Sequence, residues 1–455
     1  MSNNTQEQQL KRGLKNRQIQ LMAIGGAIGT GLFMGSGQAI NTAGPSIVLI
    51  YAVTGLILFF VMRAMGEILL SNLEYRSFLD FTNILLGPWM GFLIGWTYWL
   101  CWIVTGTADI IAICKYSAFW WPNIHTLIPA TIAISCLILL NLAEVKFFGE
   151  IEFWLSLIKL ITIIFILFIV SYLVLKYNNV NGISILNLWN HGNLLPNGTN
   201  GFFKGFQIAV FSFVGIELAG TAAAEVQDPL KTMPKAINSI PVRIIFCYIF
   251  SLIAIITITP WDKVATDQSP FISIFLSVGL PMTAGIINLI VLLSALSSAN
   301  SGVFSTSRML FGLAKLNKAP FFLAKLAKHK VPVNALVVST ICLFLTYLSI
   351  HYIPRVMNAF TIITSVSAIL FIFVWSVIVI SYIAYRKKHP SLHATSNYKL
   401  PGGTYTCYTI LIFFAFILYL LSLDQRTRIA LLVAPIWLSL LNIAYIFGKK
   451  RLFKI

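Results

Sequence analysis

Residues 23–33 read AIGGAIGTGLF and place four glycines and a threonine inside an apolar run that extends from Ile19 to Ile40. Such a run is long enough to cross a membrane as one helix. Each glycine, however, weakens a helix interior by about 0.5–1 kcal/mol relative to alanine. Irregular backbone at membrane depth is tolerated only where it is buried in protein or lines a cavity. The first question that the sequence raises is therefore what this interrupted segment contacts.

The composition of the chain is that of a membrane protein. Of its 455 residues, 58% are hydrophobic and 10% are charged, whereas a soluble domain has about 25% charged residues. The formal net charge of +18 does not indicate a nucleic-acid-binding protein, because the Lys and Arg residues lie in the short gaps between apolar runs. That distribution is typical of a membrane protein that follows the positive-inside rule.

Twelve apolar runs have a length suited to a transmembrane helix. With a cytoplasmic start, most Lys and Arg residues fall in the gaps on the cytoplasmic side. The sequence therefore predicts an all-α polytopic membrane protein with twelve transmembrane helices and both termini in the cytoplasm. The first run is long and follows a polar start, so we expect a membrane anchor and not a cleaved signal peptide. The predicted spans cover residues 19–40, 45–66, 89–113, 127–143, 152–175, 203–223, 242–260, 280–303, 333–350, 357–385, 405–423 and 429–447.

The sixth predicted span repeats the irregularity of the first. Residues 209–220 read AVFSFVGIELAG, with a glycine at the centre and an acid at Glu217. Interrupted segments five spans apart predict a five-plus-five inverted repeat, in which broken helices one and six form the substrate site near the bilayer midplane. The predicted parts are a cytoplasmic tail (1–18), a first repeat with helices 1–5 (19–175), a second repeat with helices 6–10 (203–385), two additional helices (405–447) and a second cytoplasmic tail (448–455).

The glycines of the first span have two interpretations. Gly25 and Gly29, like Gly31 and Gly35, have the spacing of small residues that let two helices approach closely. Alternatively, the helix unwinds here, and freed N–H groups at the start of the next half-helix bind a carboxylate, with Thr30 as an additional donor. Freed carbonyl groups in the sixth span would then bind an ammonium group. Because both spans carry a break, we favour the second interpretation and predict a small zwitterionic ligand.

Several longer stretches resemble the bacterial amino acid permeases of the amino acid–polyamine–organocation superfamily, and the likeness extends over about residues 10–450. Some are similar to that family as a whole, and others to the subgroup that carries D-serine, D-alanine and glycine together with protons. The first set is LKRGLKNRQIQLMAIGGAIGTGLFMGSG (10–37), MRAMGE (62–67) and AAAEVQDPLKTMPKAINSIPVRI (222–244). The second set is LLSNLEYRSFLDF (69–81), GWTYWLCWIVTGTADI (95–110) and SSANSGVFSTSRMLFGLA (297–314).

The resemblance implies a substrate site made of two short segments of the broken helices. The segment expected to bind the substrate carboxylate contains Ile28, Gly29, Thr30 and Gly31. The segment expected to bind the substrate ammonium contains Phe211, Ser212, Val214 and Gly215.

Two ionisable residues at membrane depth are candidates for proton coupling or gating, because a buried charge there is costly. Lys159 lies near the start of the fifth predicted span and either reaches the cytoplasmic interface with its long side chain or faces helix one. The family resemblance implies the second position, near the place where sodium-coupled relatives bind a cation, and we favour it. Glu217 either binds and releases a proton as the cavity opens and closes or accepts hydrogen bonds from freed backbone N–H groups.

Further polar residues complete the list of candidates. Asp109 lies far along the third span, and we expect a solvated carboxylate near the outer face. Ser298 and Asn300 lie in the eighth span, where they either line the cavity or form hydrogen bonds between helices. Glu67 and Glu225 lie at the cytoplasmic ends of their helices, where we expect pairing with basic loop residues.

Together these observations predict proton-coupled uptake of small neutral amino acids, namely glycine, D-alanine and D-serine, across the bacterial inner membrane by alternating access. The alternatives are a permease of the same family for proline, aromatic or basic amino acids, and a membrane sensor that binds an amino acid. No nucleotide-binding motif of the form G-x-x-x-x-G-K-[ST] is present, which argues against direct ATP drive. We expect no enzyme activity, cofactor, metal site or nucleic-acid partner; the partners are the amino acid, the proton and the lipid bilayer.

Overall fold

The computed structural model describes residues 16–177, 183–189, 193–221, 228–266, 268–277, 280–327, 330–351 and 356–451. Most of both predicted tails lies outside this part of the chain, as does Glu225. The described chain is built from α-helices that are joined by turns and short 3₁₀ segments. The helices are α1 (Asn16–Ala27), α2 (Thr30–Phe33), α3 (Gly35–Ala43), α4 (Ile47–Ser71), α5 (Phe78–Leu85), α6 (Pro88–Ser117), α7 (Leu127–Leu142), α8 (Val145–Tyr177), α9 (Gly198–Ser212), α10 (Leu218–Thr221), α11 (Pro229–Ile258), α12 (Pro270–Ser277), α13 (Pro281–Lys315), α14 (Val333–His351), α15 (Val356–Lys388), α16 (Pro390–Thr395), α17 (Gly403–Leu423) and α18 (Gln425–Arg451).

Nine helical stretches of the described chain are long and apolar enough to cross a membrane, and α7 is apolar but shorter. The segments α1–α3 and α9–α10 are interrupted by non-helical residues. Large apolar side chains cover the outer surface; on α8, for example, Phe168 is 73% and Leu175 is 87% exposed. An exposed apolar surface of this extent is typical of contact with lipid. The prediction of an all-α polytopic membrane protein is therefore confirmed.

Several helices extend beyond the predicted spans. The helix α8 begins at Val145 instead of residue 152, and α13 continues to Lys315 instead of ending at residue 303. Lys159 consequently lies deep within α8, and only 1% of its surface is exposed. The alternative in which Lys159 reaches the aqueous interface is therefore wrong for this structure.

The helices α6 and α13 form the centre of the bundle and pack against each other along much of their length. Glycine permits their close approach at Gly302, where an added Cβ atom would lie 2.5 Å from ring atom Cε3 of Trp102. The inner segment α1 packs against both α8 and α13. The helices α8 and α13 therefore position the first interrupted segment.

A buried carboxylate ties α4 to the chain that follows α15. Glu67 of α4 is 0% exposed and accepts hydrogen bonds from the Tyr382 hydroxyl at 2.6 Å and the Leu400 N–H at 2.8 Å. Its other oxygen contacts Nδ1 of His393 at 2.5 Å. Glu67 thus pairs with a histidine of the short helix α16, in the connection between α15 and α17.

One turn away, Arg63 reinforces the same connection. Its guanidinium lies 3.8 Å from the centre of the Tyr398 ring and donates to the Lys399 carbonyl at 2.5 Å. Arg63 and the Tyr398 hydroxyl also both donate to Oδ1 of Asn238 on α11, each at 2.8 Å. We call the contacts of Arg63 and Glu67 with Asn238, Tyr382, His393 and residues 398–400 the Glu67 clasp.

Candidate functional site

The first helix is interrupted at the place where the sequence predicts a break. The helix α1 ends at Ala27, and Gly29 has φ −124° and ψ −146°, which no helical residue adopts. The next helix, α2, begins at Thr30 and is fully buried. The break is short and comprises Ile28 and Gly29.

Side chains from three other helices donate hydrogen bonds to the carbonyl groups that this break exposes. Lys159 Nζ of α8 donates to the Gly25 carbonyl at 2.6 Å, and the Tyr248 hydroxyl of α11 donates to that of Ala27 at 2.7 Å. From α13, the Ser294 hydroxyl donates to the Ile28 carbonyl at 2.9 Å, and Ser298 makes a longer contact of 3.5 Å with that of Gly26. Such pairing is needed because an unpaired buried carbonyl group is costly.

The N–H groups on the other side of the break remain available. Those of Thr30, Gly31 and Leu32 stand in the first turn of α2, where a helix offers no acceptor of its own. Within the described part of the chain, no other group accepts from them. This buried row of donors is the feature that the carboxylate-binding prediction requires.

The Thr30 hydroxyl and Asp109 form a pair that the sequence did not predict. The hydroxyl donates to Oδ1 of Asp109 at 2.7 Å. The interpretation of Asp109 as a solvated outer carboxylate is wrong, since the helix α6 is buried here and this side chain is 0% exposed. Its second oxygen, Oδ2, has no hydrogen-bond partner among the described residues. Asp109 thus belongs to the surroundings of the first break.

The sixth helix is interrupted as predicted. The helix α9 ends at Ser212, and turns lead through Gly215, which has φ +102°, to α10 at Leu218. Several carbonyl groups that we expected to be free are taken: Phe211 O accepts from the Val214 N–H at 3.1 Å, and Gly215 O accepts from Leu218 at 3.1 Å. The Val214 carbonyl has no donor in the described ranges. The break therefore offers fewer acceptors than the sequence predicts.

The two breaks touch through glycine positions. A Cβ atom added at Gly31 would lie 2.5 Å from Cα of Ser212, and one added at Gly215 would lie 2.8 Å from the carbonyl C and O of Gly26. An added Cβ atom at Gly29 would lie 2.8 Å from Oγ of Ser298. The helix is broken, as the second interpretation requires, and its glycines also allow the close packing of the first; carboxylate binding at the break stays a prediction.

A single hydroxyl group bridges the two breaks. Tyr248 lies 2.7 Å from the Ala27 carbonyl and 2.5 Å from the Ser212 carbonyl, and it is fully buried. A tyrosine hydroxyl has one hydrogen to donate, so the two carbonyl groups share it. Tyr248 therefore holds the end of α1 against the end of α9.

We expect Tyr248→Phe to weaken substrate binding by about tenfold, because a buried acceptor left without its donor costs about 1–3 kcal/mol. Tyr51→Phe is the matched control. Among the described residues, the hydrogen bond of the buried Tyr51 hydroxyl is to Oγ of Ser212 at 2.8 Å, and that side chain retains its bond to Ile208 O. Substrate-dependent thermal stabilisation in detergent measures binding for both variants. An equal effect of the two substitutions would contradict the bridging role.

Glu217 makes contacts of the kind expected if it accepts hydrogen bonds from freed backbone N–H groups. Its Oε2 accepts from the Gly215 N–H at 3.2 Å, and its Oε1 accepts from the Tyr98 hydroxyl at 3.3 Å. It is 0% exposed. These bonds hold the turn of the second break, and a role of Glu217 in gating stays a prediction.

The two candidates on α13 lie in different places. Ser298 borders the first break, as described above. Asn300 instead donates to Oε1 of Glu152 at 2.5 Å and accepts from the Asn141 amide at 2.7 Å. It therefore joins α13 to α8 and α7.

The chain is similar in sequence to proteins of a known family. The chain matches the amino acid permease family over residues 18–454. It is 55% identical to the D-serine/D-alanine/glycine transporter of Escherichia coli O6:H1, over 98% of this chain and 96% of that protein. It is 47% identical to the amino-acid permease AapA of Bacillus subtilis (98% and 96% covered) and 38% identical to the aromatic amino acid transport protein AroP of E. coli O6:H1 (97% of each).

The chain belongs to the amino acid permease family. The resemblance inferred from the sequence motifs is thereby confirmed, and this permease is a transporter and not an enzyme. Its two breaks belong to a protein that moves an amino acid.

Sequence reasoning missed two residues that matter at this site of the permease. Glu152 lies on the same face of α8 as Lys159, because seven residues make nearly two full helical turns, and this spacing could have revealed the pair. Tyr248 carries no such signal, since its contacts join residues far apart in the chain.

Proposed function

We propose that this permease takes up small neutral amino acids, namely glycine, D-alanine and D-serine, together with protons. The substrate binds between the two breaks, with its carboxylate at Ile28, Gly29, Thr30 and Gly31 and its ammonium at Phe211, Ser212, Val214 and Gly215. The observation that carries the proposal is that buried N–H groups at one break and a buried carbonyl group at the other have no hydrogen-bond partner among the described residues. Groups of opposite polarity at two touching breaks match the two ends of a zwitterion.

The choice of substrate rests on the relatives. Identity is higher to the protein described as a D-serine/D-alanine/glycine transporter than to the one described as an aromatic amino acid transport protein. The close approach of Gly31 to Ser212 and of Gly215 to Gly26 also leaves little room beside the backbone, which favours a substrate with a small side chain.

A cavity of about 360 Å³ supports an entry route from the outside. It is lined by Gln38 of α3, by Gln207 and Ile208 of α9, and by Thr361 of α15. The segment α9 continues directly into the second break, and α3 leads to the first break through Met34 and α2. Lys204 and Asp424 form a 2.9 Å ion pair at this cavity.

The proposed topology has twelve spans, with both termini on the cytoplasmic side of the bacterial inner membrane. The nine long helical stretches, the shorter α7 and the two interrupted helices are consistent with this number. We assign helices 1–5 and 6–10 to two inverted repeats that rock against each other. The two last helices, α17 and α18, lie outside the repeats.

Coupling to protons is assigned to Lys159, with Glu217 in gating. The Lys159 ammonium donates to the Gly25 carbonyl at 2.6 Å, so the charge of α8 stabilises the position of α1. Movement of α1 away from α8 removes that acceptor and favours loss of the proton. Proton release would in this way follow inward opening.

Uptake of radiolabelled glycine into proteoliposomes tests the proposal. We expect accumulation under an imposed inward proton gradient, no accumulation without the gradient, and competition by D-serine and D-alanine. Accumulation that does not depend on the proton gradient would contradict proton coupling. Competition by aromatic or basic amino acids alone would contradict the proposed substrates, and binding without any transport would favour a sensor.

A further inference from the structure

A second buried ionisable group lies close to Lys159. Glu152 is 0% exposed and Lys159 is 1% exposed. The Lys159 ammonium donates to Oγ of Ser297 at 3.0 Å, and the Ser297 hydroxyl donates to Oε2 of Glu152 at 2.7 Å. One serine hydroxyl thus connects an ammonium group on α8 to a carboxylate on the same helix.

The direction of donation in this chain is fixed by chemistry. A lysine ammonium can only donate, an ionised carboxylate can only accept, and a serine hydroxyl can do both at once. The hydrogens therefore point from Lys159 through Ser297 to Glu152. This arrangement is suited to passing a proton in that direction.

Glu152 lies on the side of Lys159 that faces the start of α8. It precedes Lys159 by about 10 Å along the helix axis, given a rise of about 1.5 Å per residue. Two residues before it, Glu150 is bound by Arg17 at 2.6 Å and by Gln18 at 2.8 Å. The inner segment α1 also packs against the face of α8 that carries Glu152, because a Cβ atom added at Gly25 would lie 1.8 Å from Oγ of Ser156, one turn after Glu152.

Polar neighbours hold the Glu152 carboxylate in place. Asn300 donates to its Oε1 at 2.5 Å, and Asn141 donates to Asn300 at 2.7 Å. Among the residues that the structure describes, Glu152 interacts electrostatically with Lys159, and Lys159 also does so with Asp109. The amides on α13 and α7 are neutral, so Lys159, which is linked to Glu152 through Ser297, is the charged group that can supply a proton to it.

We propose that Glu152 receives the proton from Lys159 through Ser297 and releases it to the cytoplasm. In this step an N–H bond of Lys159 breaks as an O–H bond forms on Ser297, while the original Ser297 O–H bond breaks and an O–H bond forms on Glu152 Oε2. The products are a neutral amine and a neutral carboxylic acid. Withdrawal of α1 removes the Gly25 acceptor from Lys159 and uncovers Glu152, which then loses its proton to water.

This inference rests on the proposed proton-coupled uptake, and two assays of reconstituted protein separate the two claims. Exchange of internal for external glycine needs no net proton release, whereas accumulation driven by a pH gradient does. A gradient of about one pH unit supports about tenfold accumulation for each proton carried. For Glu152→Gln we expect exchange at the wild-type rate and loss of this accumulation.

Ser297→Ala interrupts the connection while keeping both charged groups, and we expect the same result. Ser301→Ala is the matched control, because that hydroxyl lies 3.5 Å from the same Glu152 oxygen but does not contact Lys159. It should retain both exchange and accumulation. Glu152→Asp, which keeps a carboxylate, should restore part of the accumulation.

The outcomes are distinct. Wild-type accumulation by Glu152→Gln or Ser297→Ala would overturn the proposed transfer. Equal loss of exchange and accumulation in Ser297→Ala, or equal defects in Ser297→Ala and Ser301→Ala, would also overturn it by showing a structural effect. Absence of proton-driven accumulation in the wild-type protein would instead contradict the proposed function. If Glu152→Gln fails to fold, the accumulation and exchange measured for Ser297→Ala test the proposed transfer.

Discussion

Gly215→Ala is expected to reduce glycine uptake by about 100-fold while the protein still inserts into the membrane. The residue has φ +102°, and such a left-handed backbone costs a residue with a side chain about 1–2 kcal/mol. The added methyl group would also lie 2.8 Å from the carbonyl C and O of Gly26. Overpacking costs about 1–3 kcal/mol, and backbone atoms cannot move aside as a side chain can. If the second break moves away from α1 to relieve these costs, restoring the substrate-binding geometry requires roughly 3 kcal/mol, which corresponds to about 100-fold in binding.

Gly87→Ala separates the steric contact from the backbone strain. Gly87 has φ +95° and no atom within 4 Å of an added Cβ atom, so its substitution introduces similar strain without a clash. We expect uptake close to that of the wild type for this variant. Equal loss of uptake in both variants would show that strain alone is responsible and that contact between the breaks is dispensable.

Lys159→Met is expected to abolish proton-driven accumulation and also to lower the stability of the permease. The substitution leaves the buried Glu152 carboxylate without the ammonium group that is linked to it through Ser297, and an uncompensated buried charge is strongly destabilising, by about 3–5 kcal/mol where the two charges pair directly. It also leaves the Gly25 carbonyl without its donor. Thermal unfolding in detergent and gradient-driven uptake measure the two effects separately.

The double variant Lys159→Met with Glu152→Gln is the control for this prediction. It removes both buried charges, so we expect its stability to return toward that of the wild type while accumulation remains absent. Wild-type accumulation by Lys159→Met would assign the lysine to packing alone. Recovery of accumulation in the double variant would show that the carboxylate, once unpaired, was the whole cause of the defect.

The two breaks could be predicted from sequence because their signal is local. A stretch with four glycines in eleven residues and a second glycine-containing centre in GIEL (215–218) both interrupt apolar runs, and helix propensity alone makes such places weak. The span limits were less accurate. Polar residues such as Glu150, which precedes the predicted start at residue 152, continue a helix when neighbouring side chains pair with them, and hydropathy does not record such pairing.

The partners of buried polar groups could not be predicted in the same way. Asp109 was assigned to solvent from its distance along the third span, but Thr30, 79 positions earlier, holds it in the interior. The bridging hydroxyl of Tyr248 and the connection from Lys159 to Glu152 likewise depend on which helices pack together. Such contacts follow from the tertiary arrangement and not from spacing within one helix.

The Glu67 clasp has a consequence for the speed of the transport cycle. It fastens α4 and α11 to the short connection between α15 and α17 through bonds to a buried carboxylate and a guanidinium, and hydrogen bonds to charged groups contribute about 1.5–3 kcal/mol each. If α4 and α11 tilt together, residues 393–400 either travel with them or detach at that cost. In the proposed transport cycle we therefore expect this connection to slow reorientation, and a reporter group placed in it would register each turnover from outside the substrate pathway.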